Sequence, residues 1–315
     1  MIAAAVAALV LAGCSREPSG PALTIAINAG VEGDALKAAA REWATAQSVR
    51  VEIVELPYAN LFEKEMLDLI SRTGAYDVIM MDDPWFPRLV QNAQLAPLPS
   101  QTPDPDFLAS CLDVCRHPYL SGAYYALPYV GNSQLFFYRK DLFDKHGLAA
   151  PATWVDVLAA ARKIGAAEKM YGYVMRAAPG NAVVTDFMPL FWAFGAEMFT
   201  ENGLPDVASK EGIASLRFML ELGKYTPPGY AGFNADEVSA HLLQSTAVMS
   251  INWPAWIASM DDPARSKAVG KIAFAPMPSA NRRGVAELGS WLLAVPSASK
   301  NKARAFEFLT WATGA

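Results

Sequence analysis

The feature that most restricts the fold of this chain is an alternation of strand and helix patterns between residues 23 and 81. Leu23–Asn28, Val49–Val54 and Tyr76–Met81 are short runs rich in Val, Ile and Met, a composition that favours strands. In the two segments between them, apolar residues recur at the spacing of an amphipathic helix. This β-α-β-α-β order predicts an α/β fold in which a parallel sheet carries helices on both faces.

Polar and aromatic residues follow the three predicted strands. In an open parallel sheet, ligands bind outside the carboxyl ends of the strands. The residues at these ends are Asn28 and Glu32, then Tyr58, and then Asp82, Asp83 and Trp85. Carboxylates and amides form hydrogen bonds with hydroxyl groups, and aromatic rings stack on the apolar face of a sugar, so this mixture favours a sugar site. The alternative is that Asp82 and Asp83 only cap the helix that follows.

A small polar break, Gly131–Ser133, interrupts the middle of the chain. An aromatic run, Tyr124–Tyr129, precedes it, and a second strand pattern follows at Gln134–Tyr138. We interpret the break as a hinge at which the chain passes from one lobe to another. The alternative is a bend inside one domain. Further on, Thr153 and Asp156 have the spacing of a helix capping box.

The second half of the chain also alternates strand and helix patterns. Strands are predicted at Tyr171–Met175 and at Ala247–Asn252, and Trp253 and Trp256 follow the second of them. With 315 residues, of which 53% are hydrophobic, the chain is long enough for two domains with substantial cores. The formal net charge of -5 and the lack of a basic cluster argue against nucleic acid as a partner.

The first residues have the character of a targeting segment. Met1–Gly13 is apolar and too short to span a bilayer as a helix, which favours a signal segment. Its end, Leu-Ala-Gly-Cys, resembles a bacterial lipobox, in which the cysteine (here Cys14) is lipidated and becomes the first residue. A tether rich in Ser, Pro and Gly follows at residues 15–22. The alternative is an ordinary cleaved secretory signal.

The two remaining cysteines, Cys111 and Cys115, lie close together in the sequence. An exported location is oxidising, so we expect a disulfide between them. The alternative is a pair of thiols one helical turn apart.

Several enzyme classes lack their sequence signatures. The turn after the first strand contains only Gly30 and Gly33, where a dinucleotide-binding site needs three spaced glycines. Ser297–Lys300 fits the Ser-x-x-Lys pattern, but its companion motifs are missing. The three histidines match no metal-ligand spacing. The sequence therefore predicts neither a catalytic site nor a cofactor nor a metal site.

Four segments together carry a family resemblance: residues 76–98, 125–143, 151–164 and 288–312. They are similar to segments of the extracellular solute-binding proteins of ABC sugar importers, the group that includes maltose-binding protein. The strongest are YALPYVGNSQLFFYRKDLF at 125–143 and the segments at 151–164 and 76–98, and the lipobox completes the pattern. The resemblance covers nearly the whole chain in order.

The resemblance implies a two-lobed periplasmic-binding-protein fold of type II character, with a mostly parallel sheet in each lobe and the ligand in the interlobe cleft. Lobe one would comprise residues 23–130 and 289–315, and lobe two residues 131–288. Family members usually return to lobe two beyond this point, so we expect that the sequence ending at Ala315 is truncated. The ligand-binding residues expected from the strand ends and the resemblance are Glu32, Tyr58, Asp82, Asp83, Trp85, Asn132, Trp253, Trp256, Gly289, Ser290 and Trp291.

The implied function is capture of a sugar and its delivery to a membrane permease, by an exported, lipid-anchored monomer that performs no chemistry. One alternative is a different solute. A polyamine would suit the acids and aromatic rings, whereas a phosphate ester would need a cation, for which Arg88 and Arg176 are the candidates. Another alternative is an enzyme that uses the acids at the strand ends on a glycoside.

Overall fold

The computed structural model describes residues 22–99 and 104–314. The predicted signal segment, the lipidation residue Cys14 and the tether up to residue 21 lie outside these residues. Within the described part of the chain, no helix combines the length and the hydrophobicity that crossing a membrane requires.

Strands and helices alternate through most of the described chain. The strands are β1 (Leu23–Asn28), β2 (Val51–Leu56), β3 (Val78–Asp82), β4 (Arg116–His117), β5 (Ala123–Tyr124), β6 (Ala126–Ser133), β7 (Leu135–Arg139), β8 (Met249–Asn252), β9 (Ile272–Ala275) and β10 (Leu288–Ala294). The helices are α1 (Val31–Gln47), α2 (Tyr58–Ser71), α3 (Phe86–Gln91), α4 (Ala109–Asp113), α5 (Lys140–Lys145), α6 (Trp154–Glu168), α7 (Asn181–Ala193), α8 (Lys210–Gly223), α9 (Ala235–Leu243), α10 (Ile257–Met260) and α11 (Lys302–Thr313). Short 3-10 turns occupy Asp83–Trp85, Tyr230–Gly232 and Pro254–Trp256.

The chain forms two compact units. Unit 1 contains the chain up to Val130 and again from Trp291, and unit 2 contains Gly131–Ser290. The chain leaves unit 1 within β6 and returns to it within β10. The second boundary falls two residues later than the one expected from the sequence.

Unit 1 is built on a five-stranded sheet with the order β2-β1-β3-β10-β6. β1 pairs in parallel with both β2 and β3, as the β-α-β-α-β pattern predicts. β10 pairs antiparallel with β3, in a register that puts Trp291 opposite Asp82. β1 and β3 are almost completely buried beneath helix side chains such as Leu36, Leu61 and Phe308, because helices cover the sheet.

Unit 2 contains a three-stranded sheet with the order β8-β7-β9. Both neighbours of β7 run antiparallel to it, so the expected mostly parallel sheet is wrong for this unit. Strand direction is not visible in side-chain periodicity, because an apolar run has the same pattern in either direction. Here the direction depends on long connections between β7, β8 and β9.

Unit 2 contains a predicted helix cap at α6 and a predicted strand at Tyr171–Met175, and the structure supports only the first. The capping box at α6 is confirmed: the Thr153 hydroxyl accepts a hydrogen bond from Asp156 N at 3.1 Å, and the Asp156 carboxylate accepts one from Thr153 N at 2.9 Å. The strand expected at Tyr171–Met175 is wrong. That segment forms an isolated bridge between Tyr171 and Ala247. Its other backbone bonds run from Val174 N to the Met249 carbonyl of β8 and from Tyr173 N to the Tyr225 carbonyl, so they do not make a continuous ladder with one strand.

The expected disulfide is also wrong in this structure. Cys111 and Cys115 are buried free thiols, and the Cys115 Sγ donates to the Cys111 carbonyl oxygen at 3.6 Å. They lie one helical turn apart at α4, so the Cys115 thiol points back along the turn to a carbonyl oxygen. Burial raises the pKa of the Cys115 thiol well above its usual value, so this group stays protonated.

Candidate functional site

The carboxyl edge of the parallel strands in unit 1 collects the side chains that the sequence placed there. β1, β2 and β3 run in the same direction, so their ends meet at one edge of the sheet. Glu32 lies in the first turn of α1 after β1, and Tyr58 is the first residue of α2 after β2. Asp82 ends β3, and Asp83 opens the 3-10 turn that follows.

Tyr58 and Asp82 are joined directly at this edge. The Tyr58 hydroxyl donates to Asp82 Oδ2 at 2.7 Å. The other carboxylate oxygen of Asp82 accepts from Asp83 N at 3.1 Å and so caps the 3-10 turn. The capping role considered for Asp82 was at the following helix, but Asp82 caps the 3-10 turn, and α3 has no side-chain cap at its start. The same carboxylate also fixes the Tyr58 hydroxyl beside Trp291.

Aromatic rings pack around this hydrogen bond. The Trp85 centroid lies 5.0 Å from that of Phe62, 5.3 Å from that of Tyr58 and 6.3 Å from that of Trp291. Trp85 is only 8% exposed, whereas Tyr58, Asp82 and Trp291 are partly exposed. We call Tyr58, Asp82, Trp85 and Trp291 the edge cluster. Trp85 forms its packed interior, and the accessible ring surface comes from Trp291 and Tyr58.

Tyr129 is a neighbour of Glu32 that the sequence analysis did not single out. Its hydroxyl donates to the Glu32 backbone carbonyl at 3.1 Å. Burial, assisted by the nearby Glu32 charge, raises the pKa of Tyr129 to about 12, so its phenol remains a hydrogen-bond donor at neutral pH. The sequence signal that could have identified Tyr129 is its position at the end of an aromatic strand run, just before the predicted hinge.

Glycine spacing in the first turn has a packing explanation. A Cβ at Gly33 would lie 1.7 Å from the Asn28 carbonyl oxygen, so only glycine lets α1 begin this close to the end of β1. Gly33 serves this close approach, whereas Gly30 supplies a positive φ of 124° in the turn.

In unit 2, Trp253 follows β8 and is held by three different contacts. Its backbone N–H donates to Asn252 Oδ1 at 2.8 Å. The Arg176 guanidinium lies 5.3 Å from the centroid of its ring, and its ring carbon Cη2 would be 3.1 Å from a Cβ at Gly289. Trp253 and Gly289 were both predicted as site residues, and the structure brings them into contact.

Arg176 is itself held by a buried carboxylate. The Arg176 Nε donates to Asp186 Oδ1 at 2.6 Å, and its backbone N–H donates to Asp186 Oδ2 at 2.8 Å. Nη2 lies 2.5 Å from Oδ1, an ion-pair contact whose angle does not make a hydrogen bond. Burial raises the pKa of Asp186, and the guanidinium opposes that rise. Sequence patterns gave no sign of this pair, because the partners lie on different elements.

The other predicted site residues occupy separate places. Trp256 is partly buried and packs on the apolar cluster that contains Phe137, Val238 and Met260. Asn132 in β6 and Ser290 in β10 are both buried, at 9% and 4% exposure.

Asp83 lines a cavity of about 340 Å³ in unit 1, together with residues of α3 and of the β4–β5 region. Its remaining lining residues are Pro84, Phe86, Pro87, Val114, Arg116, His117 and Tyr119. Among residues 22–99 and 104–314, no group of three or more His, Cys, Asp or Glu side chains could hold a metal ion.

One family model, described as bacterial extracellular solute-binding protein, matches residues 29–315. The chain belongs to this family. Two solved structures agree with that assignment. A solute-binding protein from Agrobacterium radiobacter in complex with ribitol has a TM-score of 0.85 and 25% identity, covering 95% of this chain and 77% of that chain. A maltose-bound protein from T. maritima has a TM-score of 0.84 and 28% identity, covering 93% and 77%.

Two sequence relatives of this solute-binding protein carry different solute names. A probable amino-acid ABC transporter periplasmic-binding protein of Sinorhizobium fredii is 28% identical over 306 residues, which are 94% of this chain and 69% of that protein. A mannitol-binding protein of Pseudomonas aeruginosa is 30% identical over 203 residues, 62% of this chain and 46% of that protein. The predicted family and α/β fold class are confirmed.

Proposed function

We propose that this solute-binding protein captures a neutral sugar or polyol through the edge cluster and delivers it to an ABC permease. The observation that carries the proposal is the Tyr58–Asp82 hydrogen bond beside the partly exposed ring of Trp291. A carboxylate accepts hydrogen bonds from hydroxyl groups, and an indole face packs on the C–H face of a ring or polyol chain. The relatives and neighbours named for ribitol, maltose and mannitol support the same solute class.

The charges at the edge disfavour an anionic solute. Glu32, Asp82 and Asp83 all lie at the ends of the parallel strands. Of the two cations considered for a phosphate ester, Arg176 is buried and paired with Asp186, and Arg88 is exposed on α3. Arg116, which lines the cavity beside Asp83, already donates to the Gly122 carbonyl oxygen and lies 3.9 Å from Asp113. A phosphate at this edge would therefore meet carboxylates and a guanidinium that already has partners. A phosphate ester is the least supported of the alternatives.

A thermal-shift screen tests the solute class. The panel contains ribitol, D-mannitol and maltose, with L-amino acids and spermidine as the competing classes. A solute at 100 times its Kd stabilises the folded state by about 2.7 kcal/mol, which corresponds to roughly 5–10 °C in Tm for domains of this size. We expect that shift from at least one sugar or polyol. A shift from amino acids or spermidine alone would overturn the proposal.

A matched pair of variants ties binding to the edge cluster. Tyr58→Phe removes only the hydroxyl that donates to Asp82, and so releases the carboxylate that would accept a solute hydroxyl. A well-aligned hydrogen bond from the solute to that charged acceptor contributes about 1.5–3 kcal/mol. We therefore expect Kd for the best sugar or polyol to rise at least tenfold by titration calorimetry. Tyr171→Phe is the control, because Tyr171 is an exposed tyrosine of unit 2 outside the candidate site. Equal affinities for the wild type and Tyr58→Phe would remove the edge cluster from the site.

We further propose that the protein is exported, anchored through a lipid on Cys14, monomeric, and releases its solute unchanged. The family is described as extracellular, and the Leu-Ala-Gly-Cys segment supports the anchor. Cys14→Ser should leave an exported protein that no longer partitions with membranes. Chromatography of maltose or mannitol after long incubation should recover the solute intact, and a new product would point to an enzyme.

A further inference from the structure

The most constrained aromatic residue of the candidate site is Trp253 in unit 2. The Arg176 guanidinium covers one part of its ring at 5.3 Å from the centroid. A Cβ at Gly289 would lie 3.1 Å from its Cη2, a contact that would displace the ring by a few tenths of an ångström, and the Asn252 side chain accepts a hydrogen bond from its backbone N–H. Trp253 nevertheless remains partly exposed.

Arg176 is built into the unit as a rigid group. It is 4% exposed, and its partner Asp186 on α7 is 2% exposed. The carboxylate bonds to both the guanidinium and the backbone N–H of the same arginine, so the side chain has little freedom to turn. The backbone beside Arg176 is anchored in turn, because Val174 N–H donates to the Met249 carbonyl of β8 at 3.0 Å. β8 is the strand that leads directly to Trp253.

We propose that Arg176 is a positioning residue, which holds the Trp253 ring in one orientation so that only its opposite face can stack on a solute. This inference rests on the proposed function and names the residue that orients the candidate ring of unit 2. A planar guanidinium can lie against an indole and bond to a carboxylate at the same time, whereas a lysine ammonium is a point charge and cannot do both in this geometry.

The pairing also bears on the solute. The guanidinium charge is compensated by Asp186 within the same buried contact, so the group behind Trp253 offers no net charge to an anion. A neutral solute that stacks on the indole needs no such charge. The arrangement therefore supports a neutral solute and assigns Arg176 to orientation instead of charge recognition.

The test uses Arg176→Lys in the full protein, because lysine keeps the charge opposite Asp186 and removes the planar group. The probe of orientation is the ¹⁹F resonance of 5-fluorotryptophan at position 253, assigned by its loss in Trp253→Phe. The matched control is Arg162→Lys. Arg162 also lies over a ring, 5.6 Å from the Tyr225 centroid, and pairs with Glu221 at 2.7 Å, but this pair lies outside the candidate site.

We expect Arg176→Lys to shift or broaden the Trp253 resonance without solute, and to raise Kd for D-mannitol or maltose about tenfold. Arg162→Lys should change neither. An unchanged Trp253 resonance would overturn the positioning role of Arg176. Because this measurement needs no solute, its result is independent of whether the proposed sugar-binding function is correct. A shifted resonance with unchanged affinity would overturn the link to the solute.

A second variant covers the case in which Arg176→Lys does not fold. Arg176→Met with Asp186→Asn removes both charges together and leaves an amide oxygen to accept the backbone N–H at position 176. We expect this double variant to fold and to show the same loss of a single Trp253 environment. Retention of the wild-type resonance there would also refute the role of Arg176.

Discussion

Two tryptophans of the edge cluster should respond to substitution in opposite ways. Trp85 is 8% exposed and packs against Tyr58, Phe62 and Trp291 at centroid distances of 5.0–6.3 Å. Trp85→Ala leaves a cavity in this packing, for which core Trp or Phe truncations cost about 3–5 kcal/mol. For a domain of this size, that corresponds to a Tm lower by roughly 6–20 °C. Trp291 is partly exposed, so Trp291→Ala should cost less stability.

The same comparison predicts the opposite order for binding. A stacking indole contributes about 0.5–1.5 kcal/mol to binding beyond the effect of the area it buries. Trp291→Ala removes both the stacking and the buried contact area, so it should raise the Kd for the solute roughly tenfold to a hundredfold. Calorimetric melts and titration with the best sugar or polyol measure both quantities on the same samples. Normal solute binding by Trp291→Ala would refute the proposal that Trp291 of the edge cluster contacts the solute. A Trp85→Ala protein that keeps its Tm but loses affinity would show that Trp85, not Trp291, contacts the solute.

Three further predictions concern Glu65, Gly289 and the two buried cysteines. Glu65 is completely buried in α2 without a hydrogen-bond partner for either oxygen in the described structure, and burial raises its pKa well above the usual 4.5. The folded state thus keeps a proton that the unfolded state loses, so stability should fall as pH rises above about 4.5. Glu65→Met should raise Tm at pH 7 by roughly 4–8 °C, from about 2 kcal/mol of relieved desolvation, and should flatten the pH profile; unchanged melts would contradict this. Gly289→Ala should displace the Trp253 ring and raise the Kd for the solute severalfold with little change in Tm. A Kd equal to that of the wild type in titration calorimetry would contradict this prediction. Cys111 and Cys115 should resist a thiol reagent in the native protein and both react after unfolding without reductant, whereas a protein lighter by two hydrogen masses would contain a disulfide.

Much of the unit 1 site was predictable because it depends on short-range patterns. Helical and strand periodicity identified β1 to β3, and a helical crossover between consecutive strands of one sheet brings them together in parallel. Parallel strands end at one edge of a sheet, so Glu32, Tyr58 and Asp82 could be expected there from the sequence. The Tyr58–Asp82 hydrogen bond is a direct consequence of that geometry.

Burial within the site was not predictable in the same way. Trp85 and Trp291 have the same side chain, and only the packing of α2 and β10 around the 3-10 turn puts one inside the cluster and leaves the other partly exposed. The same holds for Cys111 and Cys115, whose sequence spacing suited either a disulfide or two thiols on one helical turn.

The sequence by itself determined the fold class, the parallel start of unit 1 and the polar edge of its sheet, because each depends on periodicity and short connections. Only the tertiary structure decided the antiparallel pairing of β7 with β8 and β9, and the placement of Arg176 against Trp253. Those features join residues that are distant in the chain, and their energies come from packing and burial, which no local pattern of side chains encodes.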